Sequence, residues 1–172
     1  MPADAPACAA VHVASWQDTY RGAVPDAYLH ALTPDDRLDA WRDWIGQERR
    51  RGCILVALQD DDQIVGFGSF VAHPTRDDSW ALLPNLYLHP AAIGEGHGSA
   101  LMAAGLARLV AFGYQHVELW VHPDNQRARG FYERGGWVSD GTTQVEEVWG
   151  VELAELRMTK ELTPDAEAQP TG

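Results

Sequence analysis

Two cysteines, Cys8 and Cys53, are all that 172 residues contain. They sit alone, so the chain has neither a disulfide framework nor a thiolate metal motif. Basic residues are also scarce, with 13 Lys plus Arg against 25 Asp plus Glu and a formal net charge of −12. That balance opposes nucleic-acid binding, which asks for a basic face. It either only keeps the chain solvated or also steers a cationic, amine-bearing partner toward it. No apolar run is long enough to span a bilayer. No charged n-region and apolar h-region open the chain, so the cytoplasm is the expected compartment. No internal repeat is visible. What remains is a length that suits a single domain able to bury roughly 70% of its unfolded-chain surface without a staple.

The pattern along the chain alternates helix and strand. Asp4 stands as a cap before a helix with Ala9, Val13, Trp16 and Tyr20 on one face. Thr33-Pro34 reads as a cap followed by proline at the first helical position, with Leu38, Trp41 and Ile45 as the apolar stripe and Gly52 as the stop. Residues 53–58 and 64–72 read as a hairpin around the polar turn 60–63. A strand over 81–89 contains Pro84, which removes a ladder donor and predicts a bulge or an edge. A helix over 99–112 puts Met102, Leu106, Leu109 and Val110 inward, and Val117, Leu119 and Val121 alternate as a strand. A short helix follows at 126–134, and the last two strands are expected from Trp137 onward and over 151–161. The inward phase changes between Val151/Leu153 and Leu156/Met158, predicting an irregularity near Ala154. Residues 1–162 thus read as one domain and the polar residues 163–172 as a disordered tail.

Two segments carry the chemistry. LYLHPAAIGEGHGSALM, residues 86–102, is a strand, a turn with Gly94, Gly96 and Gly98, and the start of a helix at Ser99. Glycines admit positive φ and close approach of a ligand to backbone. A helix N-terminus behind them offers unpaired N–H groups and a positive dipole end, which together suit a phosphate or pyrophosphate. The second segment, WVHPDNQRARGFYERGGW, spans residues 120–137.

The pair resembles the GCN5-related N-acetyltransferase (GNAT) family. Gly96 and Gly98 match the glycines of the family's Gln/Arg-x-x-Gly-x-Gly/Ala motif, while Ile93 stands where Gln or Arg is usual. Asn125, Ala128, Phe131-Tyr132 and Gly136-Trp137 match the second motif in order and spacing, and residues 14–29 resemble the first helix and loop of small acetyltransferases. The resemblance covers about Asp4 to Leu162. It implies an α+β fold with a mixed, mostly antiparallel central sheet flanked by helices, the acyl-CoA N-acyltransferase fold. The family's first strand is short or missing here, because a helix cap already stands at Asp4. That leaves an edge open to a second copy of the chain, hence a homodimer.

The resemblance further implies acetyl-CoA as co-substrate and direct attack by a primary amine, of a small molecule or a peptide, in a ternary complex. In such a transfer the amine must be neutral, the carbonyl oxygen needs a donor as it gains charge, and the departing thiolate needs a proton. Leu86 and Leu88 belong to the strand whose amide meets the acyl carbonyl, with Leu88 as the donor. Gly94, Glu95, Gly96, His97, Gly98 and Ser99 supply the pyrophosphate amides. Asn125 contacts the pantetheine arm or a water, and Tyr132 lies by the sulfur as general acid. Each has a plainer reading: Tyr132 as a core residue, Asn125 as a helix N-cap, and His97 as a solvated loop residue. His89 and His122 lack a second ligand at metal spacing, so no metal is expected. Trp80 and Trp149, and Tyr20 and Tyr28, line the acceptor side or simply pack. The family's strand glutamate is missing, since Ala81-Leu82-Leu83-Pro84 contains no carboxylate. Glu118, Glu146, Glu147 or a water chain remain as the base. A non-catalytic acyl-CoA-binding or sensor domain on the same fold stays open beside the enzyme.

Overall fold

A computed structural model describes residues 2–47, 51–59, 61–148 and 151–163. Trp149 and nearly all of the predicted tail lie outside these residues. Helices α1 (Ala5–Thr19), α2 (Asp26–Ala31) and α3 (Asp35–Gly46) come first, after a short 3-10 turn at Pro2–Asp4. Then follow β1 (Cys53–Leu58), β2 (Ile64–Ala72), β3 (Trp80–Leu88), α4 (His97–Ala111), β4 (His116–Val121), α5 (Gln126–Arg134), β5 (Thr143–Val148) and β6 (Val151–Glu161). The strands form one six-stranded sheet in the order β1-β2-β3-β4-β6-β5, and only β3 and β4 run parallel. Among the described residues no strand precedes α1, so β1 is an edge, as expected. No described helix is long and apolar enough to cross a membrane.

Helices cover both faces. Ala5, Cys8, Ala9 and Val11 of α1 pack with Trp41 of α3 and Phe67 of β2. Val13 and Trp16 join Leu29 of α2 and Leu153 of β6. On the other face Met102 and Leu109 of α4 and Tyr132 of α5 meet Phe70, Val117, Leu119 and Met158. Gly105 lets α4 lie directly on β2, for a Cβ there would stand 1.9 Å from the Phe70 ring. Asp4 occupies the cap position of α1 without a side-chain cap hydrogen bond. The Asp36 carboxylate, in the first turn of α3, reaches back to Thr33, accepting from Thr33 N at 2.7 Å and from Thr33 Oγ1 at 2.8 Å.

Of the two alternatives at Pro84 the bulge is the one found, and three other expectations are corrected. In the interior strand β3 the register slips between Ser69↔Asn85 and Val71↔Leu82, so Leu83 and Pro84 oppose Phe70 alone. The helix after the glycine turn starts at His97, two residues earlier than predicted. The strand expected from Trp137 is reduced to one bridge, Val138↔Thr159, because Gly141 (φ +80°) turns the chain before β5 begins at Thr143. The backbone of this turn is held by Ser139 and Asp140 side chains. Finally, β6 has no irregularity near Ala154, its register running unbroken against both β4 and β5. The apparent change of phase arises because β6 is buried on one face at Leu153 and on the other toward Met158, Glu152 and Ala154 being exposed. Leu153 faces α1 and α2, whereas Leu156 and Met158 face the α4 side.

Candidate active site

The parallel ladder between β3 and β4 lasts only three residue pairs, Trp80↔His116 to Leu82↔Glu118. Beyond Leu82 the bulge at Leu83–Pro84 carries β3 away while β4 continues along β6 to Val121. The two strands splay and open a cavity of about 420 Å³ between them. Its walls are the bulged half of β3, the turn after it, the end of β4, the inner face of α5 and the C-terminal end of α1. Past Leu82 no strand adjoins β3 on this side, so its edge amides face the cavity without ladder partners.

Of the sequence-predicted residues, Leu86, Leu88, Gly94, Gly96, Gly98, Ser99, Asn125 and Tyr132 line this one cavity. Gly94 and Gly96 have φ of +93° and +92°, a conformation that glycine adopts freely. Gly96 is the N-cap of α4, which aims the first amides of a 15-residue helix at the cavity. Glu95 and His97 are not on the wall; they pair with each other at 3.4 Å on the outside of the turn. Ile93, the departure from the family motif, does line it.

Asn125 caps α5, its Oδ1 accepting from Ala128 N at 3.0 Å, so the plain reading of this residue holds at the cavity wall. Tyr132 is 9% exposed and packs between Phe131 and Trp137, with ring centroids 5.4 and 5.8 Å away. Burial, with Tyr87 adding to it, raises its hydroxyl well above the usual phenol range. It is therefore a hydrogen-bond donor at neutral pH.

The remaining aromatics divide. Tyr20, at the end of α1, lines the cavity and stacks obliquely on Trp16 at 4.4 Å. Tyr87 lines it too, its hydroxyl accepting from Trp16 Nε1 at 3.2 Å. Tyr28 instead accepts from Arg37 at 3.4 Å, off the cavity. Trp80 lies at the closed end of the strand pair, stacked on His116 at 4.7 Å under the Arg76 guanidinium, so it does not line an acceptor pocket. His89 accepts from Ala91 N and His122 from Asp124 N. Among the described residues no group of three His, Cys, Asp or Glu could hold a metal.

The carboxylates change most. Glu118 is 3% exposed and is ion-paired to Arg76 at 2.6 Å and to Arg157 at 3.9 Å, with His73 at 3.3 Å. Trp120 Nε1 donates to it at 3.0 Å. It is off the cavity wall and faces two arginines that hold its charge, so it does not serve as a base. In β5, Gln144 and Glu146 lie opposite Glu155 and Leu153, whereas Glu147 lies opposite Glu152 and so points to the other face. The carboxylate that does line the cavity is Glu155, which the sequence reading missed. A signal for it existed: a charged residue follows Leu153 by two, in phase with an inward position. Burial raises its carboxyl above the ordinary value; the hydrogen bond from Gln144, at 2.8 Å, opposes this and Glu146 reinforces it.

With this geometry in place, the known proteins decide the family. The model of the Acetyltransferase (GNAT) family matches residues 13–137. The chain belongs to the GNAT family. It is 30% identical over 118 residues to the uncharacterized N-acetyltransferase YuaI of Bacillus subtilis, covering 68% of this chain and 65% of that protein. It is 39% identical over 90 residues to the mycothiol acetyltransferase of Kocuria rhizophila, covering 51% of this chain and 30% of that protein. The matches thus span about two thirds of the first relative and less than a third of the second. Among solved structures, an N-acetyltransferase from Staphylococcus aureus superimposes with a TM-score of 0.69 at 19% identity, covering 95% of both chains. The PaiA N-acetyltransferase from Thermoplasma acidophilum, in complex with coenzyme A, gives 0.65 at 21% identity, covering 93% of this chain and 94% of that one. These likenesses establish the α+β acyl-CoA N-acyltransferase fold for this GNAT chain.

Proposed function

We propose that the protein is an acetyl-CoA-dependent N-acetyltransferase that acetylates a primary amine of a small molecule or peptide by direct attack in a ternary complex. The observation that carries this reading is the single cavity into which a glycine turn with a helix N-terminus, an open strand edge and a buried tyrosine all converge. Acetyl-CoA supplies the activated thioester. The residues present fit it: positive-φ glycines leave backbone amides accessible, and α4 directs its N-terminal dipole to where a pyrophosphate would sit. The edge amides of β3 from Leu86 to Leu88 provide donors for the acyl carbonyl, Leu88 foremost. Asn125, engaged with Ala128, holds the start of α5 so that Tyr132 faces the cavity.

The Tyr132 hydroxyl keeps its proton well past the ordinary range of a thiol, about 8.5. Its contribution is a strong hydrogen bond to the leaving sulfur, with proton delivery completed as charge builds there. The free thiols Cys8 and Cys53 suit a reducing compartment, and we assign the activity to the cytoplasm. Residues 1–162 serve as one catalytic domain in this reading. The retained Tyr132 favours an enzyme over a non-catalytic acyl-CoA sensor. The deciding experiment is thiol release from acetyl-CoA across a panel of primary amines. Amine-dependent release supports the enzyme; coenzyme A binding without release for any amine assigns the fold to the sensor reading.

A further inference from the structure

The acceptor end of the cavity carries a charge pattern that the motifs do not explain. Glu155 reaches its wall from β6, hydrogen-bonded by Gln144 of β5. Glu146, also from β5, points to the same face, diagonal to Glu155 across the strand pair, and its charge raises the Glu155 carboxyl. Around them stand three phenols from three other elements: Tyr20 of α1, Tyr87 of β3 and Tyr132 of α5. Both glutamates raise the Tyr20 and Tyr87 hydroxyls electrostatically, so these groups share one local field. The cations nearby are committed or lie on the opposite wall. Arg127 is paired with Asp18 at 3.0 Å, Arg157 with Asp140 and Glu118, and Arg134 sits in the last turn of α5 beside Gly130. His122 completes the titratable groups on the wall. Two carboxylates brought together without a matching cation form a site missing a positive charge.

Resting on the acetyltransferase reading, we propose that Glu155 with Glu146 is the acceptor subsite, receiving a primary aliphatic ammonium ion with no carboxylate beside it, and that Glu155 is the general base. The ammonium gives one proton to the Glu155 carboxylate. The neutral nitrogen then forms the N–C bond to the acyl carbon as the C–S bond breaks. The nitrogen's second proton replaces the acyl bond at sulfur through Tyr132, giving the amide and a thiol, and Glu155 returns its proton to water. An α-amino acid would bring its own carboxylate against Glu155 and Glu146 and is rejected.

Three arms test this. In steady-state kinetics, n-butylamine exceeds norvaline in kcat/KM by at least about tenfold. Glu155→Gln lowers kcat/KM for butylamine by about 10²–10⁴ while coenzyme A affinity stays unchanged, and Glu155→Asp recovers part of it. In the pH profile, wild-type kcat/KM falls as Glu155 is protonated, with an acid limb above the ordinary glutamate range. Glu146→Gln, at an exposed position, removes the neighbouring charge and moves that limb to lower pH. Wild-type kinetics in Glu155→Gln, or a limb unmoved in Glu146→Gln, overturns the inference while leaving the acetyltransferase reading intact. If no amine releases thiol, the acetyltransferase reading fails instead. Calorimetry of butylamine into the coenzyme A-loaded protein then decides the subsite: binding lost in Glu155→Gln upholds it, and no binding or equal binding removes it.

Discussion

At the scale of single residues, the positions that matter are those where chemistry and packing compete for one side chain. Tyr132 is both a core residue, wedged by Phe131 and Trp137, and a wall of the cavity. Tyr132→Phe keeps the ring and removes the hydroxyl. Turnover is expected to fall by about 10²-fold, the lower end for a positioned proton donor, because the raised hydroxyl gives up its proton reluctantly. Coenzyme A affinity and the melting temperature should stay as in wild type; unchanged turnover on a verified acceptor refutes the role. Glu118 is the converse, a buried carboxylate that holds structure. It ties β4 to the segment before β3 through Arg76 and to β6 through Arg157. Glu118→Gln removes the carboxylate charge facing Arg76, while Arg157 keeps Asp140. A loss of about 2–4 kcal/mol in denaturant unfolding is expected, below the full cost of breaking a buried pair because both arginines reach water. Butylamine saturation kinetics in the folded fraction should not change, which separates Glu118 from Glu155.

At the scale of elements, α4 does two jobs, and each depends on a glycine. At its N-terminus Gly96 holds φ +92°. Gly96→Val forces a β-branched residue into that region at a cost of about 1–3 kcal/mol and sets side-chain bulk where a phosphate would meet backbone. Calorimetry is expected to show coenzyme A binding abolished, and unchanged affinity in a folded Gly96→Val counts against the pyrophosphate site. In its middle, Gly105 lies against Phe70. Gly105→Ala gains up to about 1 kcal/mol of helix propensity yet drives a methyl group into a ring in a packed core. Net destabilisation of about 1–2 kcal/mol is expected, read as a lower thermal midpoint. A more stable Gly105→Ala would mean that α4 rides farther from the sheet than described.

At the scale of the whole molecule, the sheet ends in two different edges. β5 carries Gln144 and Glu146 of the proposed acceptor subsite, and β1 has no strand outside it among the described residues. We propose that β1 pairs with its copy about a two-fold axis, since free N–H and C=O groups on an edge are paired, covered or charged. Light scattering at high micromolar concentration is expected to give twice the 18.9 kDa chain mass. A monomer there removes the dimer and leaves the acceptor site untouched.

Much of this was legible in the amino-acid order because it depends on neighbours in the chain. Helix α5 begins and ends where its cap and polar stops stand, the β1–β2 hairpin closes on its polar turn, and Gly94 and Gly96 announce a positive-φ turn before a helix. The bulge at Pro84 follows from a missing N–H at a known position. What local pattern could not decide is what each face meets. The change of phase in β6 looked like a break because periodicity assumes one buried face, and only the packing of α1 and α2 over Leu153 and of the α4 side over Leu156 and Met158 moves burial from one face to the other. For the same reason the phase of Glu155 with Leu153 shows which way it points but not what surrounds it, and the same holds for Glu118 within its apolar strand. Tertiary packing surrounds Glu118 with arginines that neutralise it. It sets Glu155 at a cavity wall, diagonal to Glu146, where the proposed acceptor would bring the missing charge.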